Sequence, residues 1–194
     1  MTRIAIALTE DFADWECALL MAVARSYLGV EIRTASPDGR PVTSMGGLKI
    51  TPDLAHDAVD AETFDALIIP GGLSWEKGTA PDFGAKVREF HGSGKVVGGI
   101  CAAASALAAT GILNDVAHTG NRLASHQKYP AYQGAALYRD QPQAVSDGKV
   151  ITAPGNSPIT FTMEILKALD LWSSEAEDEI AAFANEHLPH GAVG

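Results

Sequence analysis

A cysteine at a sharp turn is the first residue of this chain whose type and position suggest chemistry. Cys101 stands in KVVGGICAAASALAATG, where a buried strand pattern changes into a helix pattern. Gly99 and Ala103, two positions before and after it, are small enough for the tight turn of a nucleophile elbow. Unpaired N–H groups at the start of a helix favour an anion. We therefore predict a sulfur more acidic than a free cysteine. The alternative is a small apolar residue packed in a crowded corner.

Two glycines end another predicted core strand, in IIPGGLSW. Glycines at such a place let backbone N–H groups approach a ligand without a Cβ between them. If the two strands are neighbours, the N–H groups of Gly72 and Ala102 face one reacting oxygen and form an oxyanion hole. Taken alone, Pro-Gly-Gly has an alternative interpretation as an ordinary turn that binds no ligand.

The third candidate is Glu16, in the first turn of a helix that follows the first strand. Asp14 is taken as the cap of that helix, and Glu16 lies among apolar neighbours that suggest burial. A buried carboxyl favours its neutral form, which donates a hydrogen bond to a thiolate. We predict that Glu16 meets Cys101 at the carboxyl edge of the sheet.

Hydrophobic strands alternating with helices must position these residues. The strands do not alternate in polarity, which predicts an α/β three-layer sandwich around a mostly parallel sheet. The first helix is predicted to run to about Leu28, and the segment after Gly111 is too polar and turn-rich for a core element. The other predicted elements are strands at RIAIAL, VEIRTAS, DALIIPGG and KVVGGIC, a hairpin at VTSMGGLKITPD, a strand pair at QAVSDGKVITA, and helices at DFGAKVREFHGSG, AAASALAATG, Pro158–Leu169 and Ser174–His187.

Composition limits the classes of function. The chain has 194 residues, 46% of them hydrophobic, which predicts a single domain over 1–194 with a frayed tail from about residue 188. Lys and Arg number 14 against 24 Asp and Glu, and the formal charge of −10 argues against nucleic acid and membranes as partners. No signal peptide core or membrane span is visible, and Cys17 and Cys101 make no disulfide framework. We predict a reduced, cytoplasmic protein.

The elbow cysteine, the strand that ends in two glycines and the glutamate of the first helix together resemble the ThiJ/PfpI family, also called the DJ-one superfamily. The resemblance extends over nearly the whole chain. The specific matches are DWE, DALIIPGG, VVGGICAAASALAATGIL and VSDGKVITAPG. The resemblance implies a flavodoxin-like fold, shared with the type 1 glutamine amidotransferases, and a homodimer. It also implies a site made of the elbow cysteine Cys101 and a protonated Glu16, with backbone donors at Gly72 and Ala102.

Where the sequence departs from the family pattern, it argues against some of the activities found in the family. Many relatives place a histidine after the elbow helix, and the corresponding position here is Asn121. His118 and His126 flank it and are candidate third partners, although a loop histidine is more often a surface residue. The proteolytic members have a histidine directly after the cysteine, where this chain has Ala102, which argues against a protease. No late His-x-Glu pair is present, which argues against a glutaminase.

Nucleotide and metal sites are not predicted. No phosphate-cradling glycine motif occurs, and His187 and His190 near the end of the chain have a spacing that we attribute to chance.

The leading hypothesis is a cofactor-free cysteine enzyme acting on a small carbonyl or acyl compound, with glyoxalase-like or deglycase-like reactions implied by the resemblance. The alternatives are a redox-sensing or chaperone-like stress protein with an oxidisable cysteine, and a ligand-binding pseudoenzyme.

Overall fold

A mostly parallel sheet forms the centre of the computed structural model, which describes residues 1–184. Within those residues, seven strands pair in the order β5-β2-β1-β6-β7-β9-β8, and every neighbouring pair is parallel except β8 and β9. The strands are β1 (Arg3–Ala7), β2 (Glu31–Ser36), β5 (Leu54–Ala55), β6 (Ala66–Ile69), β7 (Val96–Ile100), β8 (Val145–Asp147) and β9 (Val150–Ala153). A separate antiparallel hairpin consists of β3 (Val42–Thr43) and β4 (Lys49–Ile50).

Helices cover both faces of the sheet. They are α1 (Trp15–Ser26), α2 (Leu73–Glu76), α3 (Gly84–Gly92), α4 (Ala103–Ala109), α5 (Leu123–His126), α6 (Pro158–Ala168) and α7 (Ser174–Ala184). Short 3₁₀ turns occur at His56–Ala58, Ile112–Asn114 and Ala135–Leu137. Helices α1, α6 and α7 pack together, and α3 packs with α4 against β7.

Both faces of the sheet are apolar because the strands bury side chains in both directions. In β1, Ile4 and Ile6 belong to one core cluster, whereas Ala5 and Ala7 belong to the other. Successive side chains of a strand point to opposite faces, so this division places one core on each side of the sheet. The predicted three-layer, flavodoxin-like sandwich is therefore confirmed.

Asp14 does not cap the first helix, contrary to the sequence prediction. Its backbone is already helical, and its side chain makes no capping hydrogen bond. Asp14 Oδ2 instead accepts the N–H of Gly46 at 2.8 Å, which ties the start of α1 to the turn of the β3–β4 hairpin. The helix also ends at Ser26 rather than at about Leu28.

The segment after α4 contributes to the core, although its polarity predicted otherwise. It contains α5 and two 3₁₀ turns, and it buries His118, His126, Thr119 and Tyr132. Burial of these polar side chains is tolerated because they hydrogen-bond one another and nearby backbone groups. Hydropathy alone does not register such pairing.

The remaining sequence predictions concern the end of the chain, a metal site and a membrane span. The frayed tail from about residue 188, the helix end at His187, and His190 lie outside the described residues. Among residues 1–184, no group of three or more His, Cys, Asp or Glu side chains is arranged to hold a metal ion. In the same range, every helix is too short or too polar to cross a membrane.

Candidate active site

Cys101 lies between β7 and α4 with a φ of 61°, in the left-handed region that residues other than glycine rarely adopt. Such backbone conformations cluster at functional sites, and a nucleophile elbow is one of them. A Cβ on Gly99 would lie 2.8 Å from Leu107 Cδ1 and 3.1 Å from the Ala103 carbonyl oxygen. The tight packing of α4 on β7 therefore requires the small residue, as the sequence predicted.

The acid partner is Glu16, whose side chain enters the site from the first turn of α1. The residue is only 1% exposed, and its Oε2 accepts the N–H of Gly71 at 2.5 Å. Its other oxygen, Oε1, is buried, makes no well-aligned hydrogen bond and faces the side chain of Cys101. The structure thus brings together the two side chains that the sequence proposed as the catalytic pair.

Burial controls the protonation of this pair. It raises the pKa of Glu16 to about 7, against the opposing effect of hydrogen bonds from Cys101 and Gly71. Burial, followed by the negative charge of Glu16, raises the pKa of the Cys101 thiol to about 11. Hydrogen bonds from Asn121 and the Ala102 N–H oppose that rise without cancelling it.

The predicted acidic sulfur is therefore wrong in direction. Desolvation and the neighbouring carboxylate outweigh the hydrogen bonds that favour the thiolate. Burial raises the pKa of both groups, and the carboxyl of Glu16 lies beside the thiol of Cys101. Glu16 is consequently placed to accept the thiol proton when the sulfur attacks an electrophile.

Asn121 is the third side chain at the sulfur. Its Nδ2 donates to Cys101 Sγ at 3.3 Å, and its Oδ1 accepts the N–H of Gly155 at 2.9 Å. The second bond fixes which end of the amide faces the sulfur. An amide donates a hydrogen bond but does not take up a proton, so Asn121 orients or stabilises the sulfur and is no general base.

The two histidines next to Asn121 in sequence are buried behind the site rather than at the sulfur. His118 bonds the carbonyl of Val116 and the hydroxyl of Tyr132, both at 2.8 Å. His126 bonds Ser105 Oγ at 3.1 Å and the carbonyl of Thr119 at 3.2 Å. Neither contacts Cys101, and neither is the surface residue that the sequence favoured, since both are 0% exposed.

These histidines support the segment that carries Asn121. Burial lowers the pKa of His126 to about 4, so the ring is neutral and carries one N–H. A carbonyl only accepts, so that N–H is on Nε2 and donates to Thr119, two residues before Asn121. The free Nδ1 then accepts the hydroxyl of Ser105, which joins α4 to the Asn121 segment.

The two predicted backbone donors, Ala102 and Gly72, lie differently with respect to the cysteine. The N–H of Ala102 lies against the sulfur, and its predicted contact with a reacting oxygen stays a prediction. The glycine in contact with the cysteine is Gly71, where a Cβ would lie 2.7 Å from Cys101 Cβ, whereas Gly72 adjoins the backbone of Asp11 and Phe12. The role of the Gly72 N–H toward a bound substrate stays a prediction.

Gly155 is a site residue that the sequence analysis did not assign. A Cβ there would lie 2.7 Å from Cys101 Sγ and 3.1 Å from Glu16 Oε1. Its carbonyl also accepts the indole N–H of Trp15 at 2.8 Å. The position of Gly155 just after β9 could have indicated its role, because β9 neighbours β7 and both strands end at the same edge of the sheet.

A cavity of about 380 Å³ opens over the sulfur. Trp75, which stacks on Phe83 with ring centroids 5.7 Å apart, and Tyr129 form two of its walls. Its remaining lining residues are Glu76, Cys101, Ala102, Ser105, Asn121, Arg122, Ala124, Ser125 and Lys128. This volume suits a small molecule that reaches Cys101 from the side of α5.

The fold and the elbow cysteine define the class as a flavodoxin-like α/β protein, and comparison with known proteins specifies the family. A family model described as the DJ-1/PfpI family matches residues 2–168. The chain belongs to this family. A crystal structure of a DJ-1 superfamily protein from Agrobacterium tumefaciens is 67% identical and has a TM-score of 0.93, covering 95% of this chain and 98% of that one.

Two curated relatives show the range of names within the family. A Bacillus subtilis protein named as an uncharacterized protease is 30% identical over 181 residues, which are 89% of this chain and 86% of the relative. A glutathione-independent glyoxalase from Caenorhabditis elegans is 32% identical over 146 residues, which are 73% of this chain and 75% of the relative.

The raised pKa of Glu16 predicts a pH-dependent contribution to stability. Because the folded-state pKa of about 7 exceeds the ordinary value of 4.5, the folded protein binds the extra proton between these pH values. The resulting stabilisation is complete below about pH 4.5 and is lost as the pH rises through 7. The free energy of unfolding of the wild type, relative to Glu16→Gln, is therefore expected to fall between pH 5 and pH 8.

Urea unfolding of both proteins at the two pH values measures this difference. Glu62→Gln, which removes an exposed carboxylate, is the control for the loss of a negative charge as such. A difference between wild type and Glu16→Gln that is the same at pH 5 and pH 8 would contradict the assignment of Glu16 as the buried acid with a raised pKa.

Proposed function

We propose that this protein is a cofactor-free, cysteine-dependent enzyme that acts on small carbonyl compounds and converts 2-oxoaldehydes to 2-hydroxy acids. The observation that carries the proposal is the position of Cys101 in a strained elbow, with the buried carboxyl of Glu16 and the amide of Asn121 both beside its sulfur. A nucleophile with an adjacent base and an orienting donor is the arrangement of covalent catalysis.

The first step joins the substrate to the enzyme. As Sγ attacks the aldehyde carbon, Glu16 accepts the thiol proton and returns it to the new oxygen, which gives a hemithioacetal. The Ala102 N–H, which lies against the sulfur, is placed to stabilise the oxyanion that develops on that carbon's oxygen. Asn121 holds the sulfur on its other side.

The second step is an internal redox exchange within the substrate. Glu16 removes the proton from the former aldehyde carbon, and the oxygen of the adjacent carbonyl takes up a proton, which gives an enediol. The adjacent carbon then takes up a proton while the hydroxyl on the former aldehyde carbon loses one. One carbon is thereby oxidised and its neighbour reduced, which leaves a thioester of the 2-hydroxy acid. Water hydrolyses the thioester and releases the free thiol, so the net reaction consumes one water and needs no external oxidant or reductant.

Two lines of support favour this reaction over the other activities of the family. The protonation of the site suits it, because a carboxyl with a pKa of about 7 both accepts and donates a proton near neutral pH. The Caenorhabditis elegans relative is named as a glyoxalase that works without glutathione. Ala102 occupies the position of the histidine expected in proteolytic members, so the name of the Bacillus subtilis relative is not transferred.

The redox-sensor alternative receives less support from the site. Both functions need the thiolate of Cys101, and burial raises the pKa of that thiol. The carboxyl of Glu16 beside the sulfur favours the enzyme, because it can accept the thiol proton during attack on a substrate. The homodimer and the cytoplasmic location implied earlier stay predictions, because a single chain does not test them.

The test is an assay of the purified wild type, without added metal or cofactor, on methylglyoxal, a simple ester and a simple amide. We expect one lactate for each methylglyoxal consumed and no comparable release from the ester or amide. Absence of aldehyde consumption would overturn the proposal. A gain of two oxygen atoms on Cys101 after mild peroxide, with no aldehyde consumed, would support the sensor in its place.

A further inference from the structure

Two cationic side chains line the cavity over Cys101. Arg122 and Lys128 both line it, and Glu76 is the one acidic residue in its lining. In the chain as a whole, acidic residues outnumber Lys and Arg by 24 to 14. Within the described residues, neither Arg122 nor Lys128 forms an ion pair with a carboxylate. The cavity wall therefore carries two cationic groups that are available to a ligand.

The position of Arg122 along the chain brings its charge close to the reacting atoms. It directly follows Asn121, whose amide contacts the sulfur at 3.3 Å. Arg122 and Cys101 line the same cavity of about 380 Å³, so a small molecule in that cavity can reach both. Arg122 also borders a second cavity, lined by Asp140 and Asn156 among others, on the far side of Asn121.

Lys128 is held at the other end of the same short helix. Helix α5 spans Leu123–His126, so Arg122 precedes it and Lys128 follows its last residue by two positions. His126 fixes this helix to α4 through Ser105 and to the preceding segment through Thr119. The two cations consequently flank an anchored helix at the cavity wall rather than a free loop.

We infer that the substrate carries an anionic group, in the form of a carboxylate a few carbons away from the carbonyl that Cys101 attacks. This inference rests on the proposed function and adds the substrate class to it. Arg122 presents a planar set of donors that matches a carboxylate, and Lys128 adds a second positive charge. A neutral 2-oxoaldehyde such as methylglyoxal fits the sulfur but leaves both cations without a partner.

The experiment compares two aldehydes that differ in charge. 4,5-Dioxopentanoate carries a carboxylate and 2-oxopentanal does not, while both present the same oxoaldehyde to the cysteine. We expect the wild type to have a higher kcat/KM for the anionic aldehyde, and this preference to shrink as salt rises from 50 to 500 mM, because salt screens exposed charges. Arg122→Gln and Lys128→Gln are each expected to reduce the anionic-to-neutral ratio of kcat/KM by roughly five- to tenfold.

The matched control is Arg88→Gln, which removes an exposed cation from α3, outside both cavities. It is expected to keep the wild-type ratio. A wild type without preference for the anionic aldehyde, or a ratio that Arg122→Gln and Lys128→Gln leave unchanged, would overturn the inference.

A binding measurement separates this inference from the proposed reaction. Titration of Cys101→Ser with 4-oxopentanoate and with 2-pentanone, followed by calorimetry, reports on the cations without any turnover. Binding of 4-oxopentanoate that weakens in the Arg122→Gln background supports the anion site, even if the wild type consumes neither aldehyde and the proposed function fails. Equal binding of the two ketones overturns the anion site, even if turnover is observed.

Discussion

Replacing Cys101 with serine is expected to reduce kcat/KM for a 2-oxoaldehyde by at least roughly 10³-fold. A hydroxyl is far less acidic than a thiol, and a carboxyl with a pKa of about 7 is too weak a base to activate it. The site is also built around sulfur, because Asn121 donates to Sγ and Gly155 leaves room for it. Initial rates of aldehyde consumption, with thermal unfolding as a check on folding, measure the effect.

The second cysteine of the chain supplies the control for this substitution. Cys17 is 3% exposed and packs in the core, and burial raises the pKa of its thiol to about 12. Cys17→Ala is expected to lower the free energy of unfolding by about 1 kcal/mol and to retain activity. If Cys101→Ser kept more than a tenth of the wild-type activity, the covalent mechanism would be excluded.

The meeting of Cys101 and Glu16 could be predicted from sequence because it follows from topology. Cys101 directly follows β7, and Glu16 lies in the first turn of the helix after β1. The carboxyl ends of parallel strands share one edge of the sheet. β1 and β7 both neighbour β6, so the first turn of α1 and the elbow come close together. Local sequence patterns placed each residue at this edge of the sheet, and the strand order of the structure makes them neighbours.

The protonation of the site could not be predicted in the same way. The helix N-terminus is visible in the sequence and favours a thiolate, but the burial of the sulfur depends on packing from several distant segments. Gly71, Gly155 and Asn121 enclose it, and they come from three different parts of the chain. The sum of those contacts reversed the predicted direction of the pKa of Cys101.

The buried histidines failed as predictions for a related reason. A histidine in a polar segment is a surface residue on average, because burial without partners is costly. His118 and His126 find partners that lie up to 21 residues away, at Tyr132 and Ser105. Such pairing leaves no periodic pattern in the sequence, whereas the strands and the hairpins do.

Placing a single methyl group at Gly155 is expected to have the second-largest effect. In Gly155→Ala the new Cβ would lie 2.7 Å from Cys101 Sγ, 2.9 Å from Cys101 Cβ and 3.1 Å from Glu16 Oε1. Carbon atoms do not approach so closely, so the sulfur or the β9–α6 segment must move. A displacement of about 1 Å at reacting atoms can cost on the order of 10²-fold in rate, and we expect a loss of that size in kcat/KM.

The alkylation rate of Cys101 with iodoacetamide gives a second measurement that does not depend on the substrate. Displaced from Glu16 and Asn121, the thiol is expected to react at a rate different from that of the wild type. Gly92→Ala is the matched control, because a Cβ there meets nothing within 4 Å. Wild-type turnover together with a wild-type alkylation rate in Gly155→Ala would contradict the close approach of Gly155 to the sulfur, on which the geometry of the site depends.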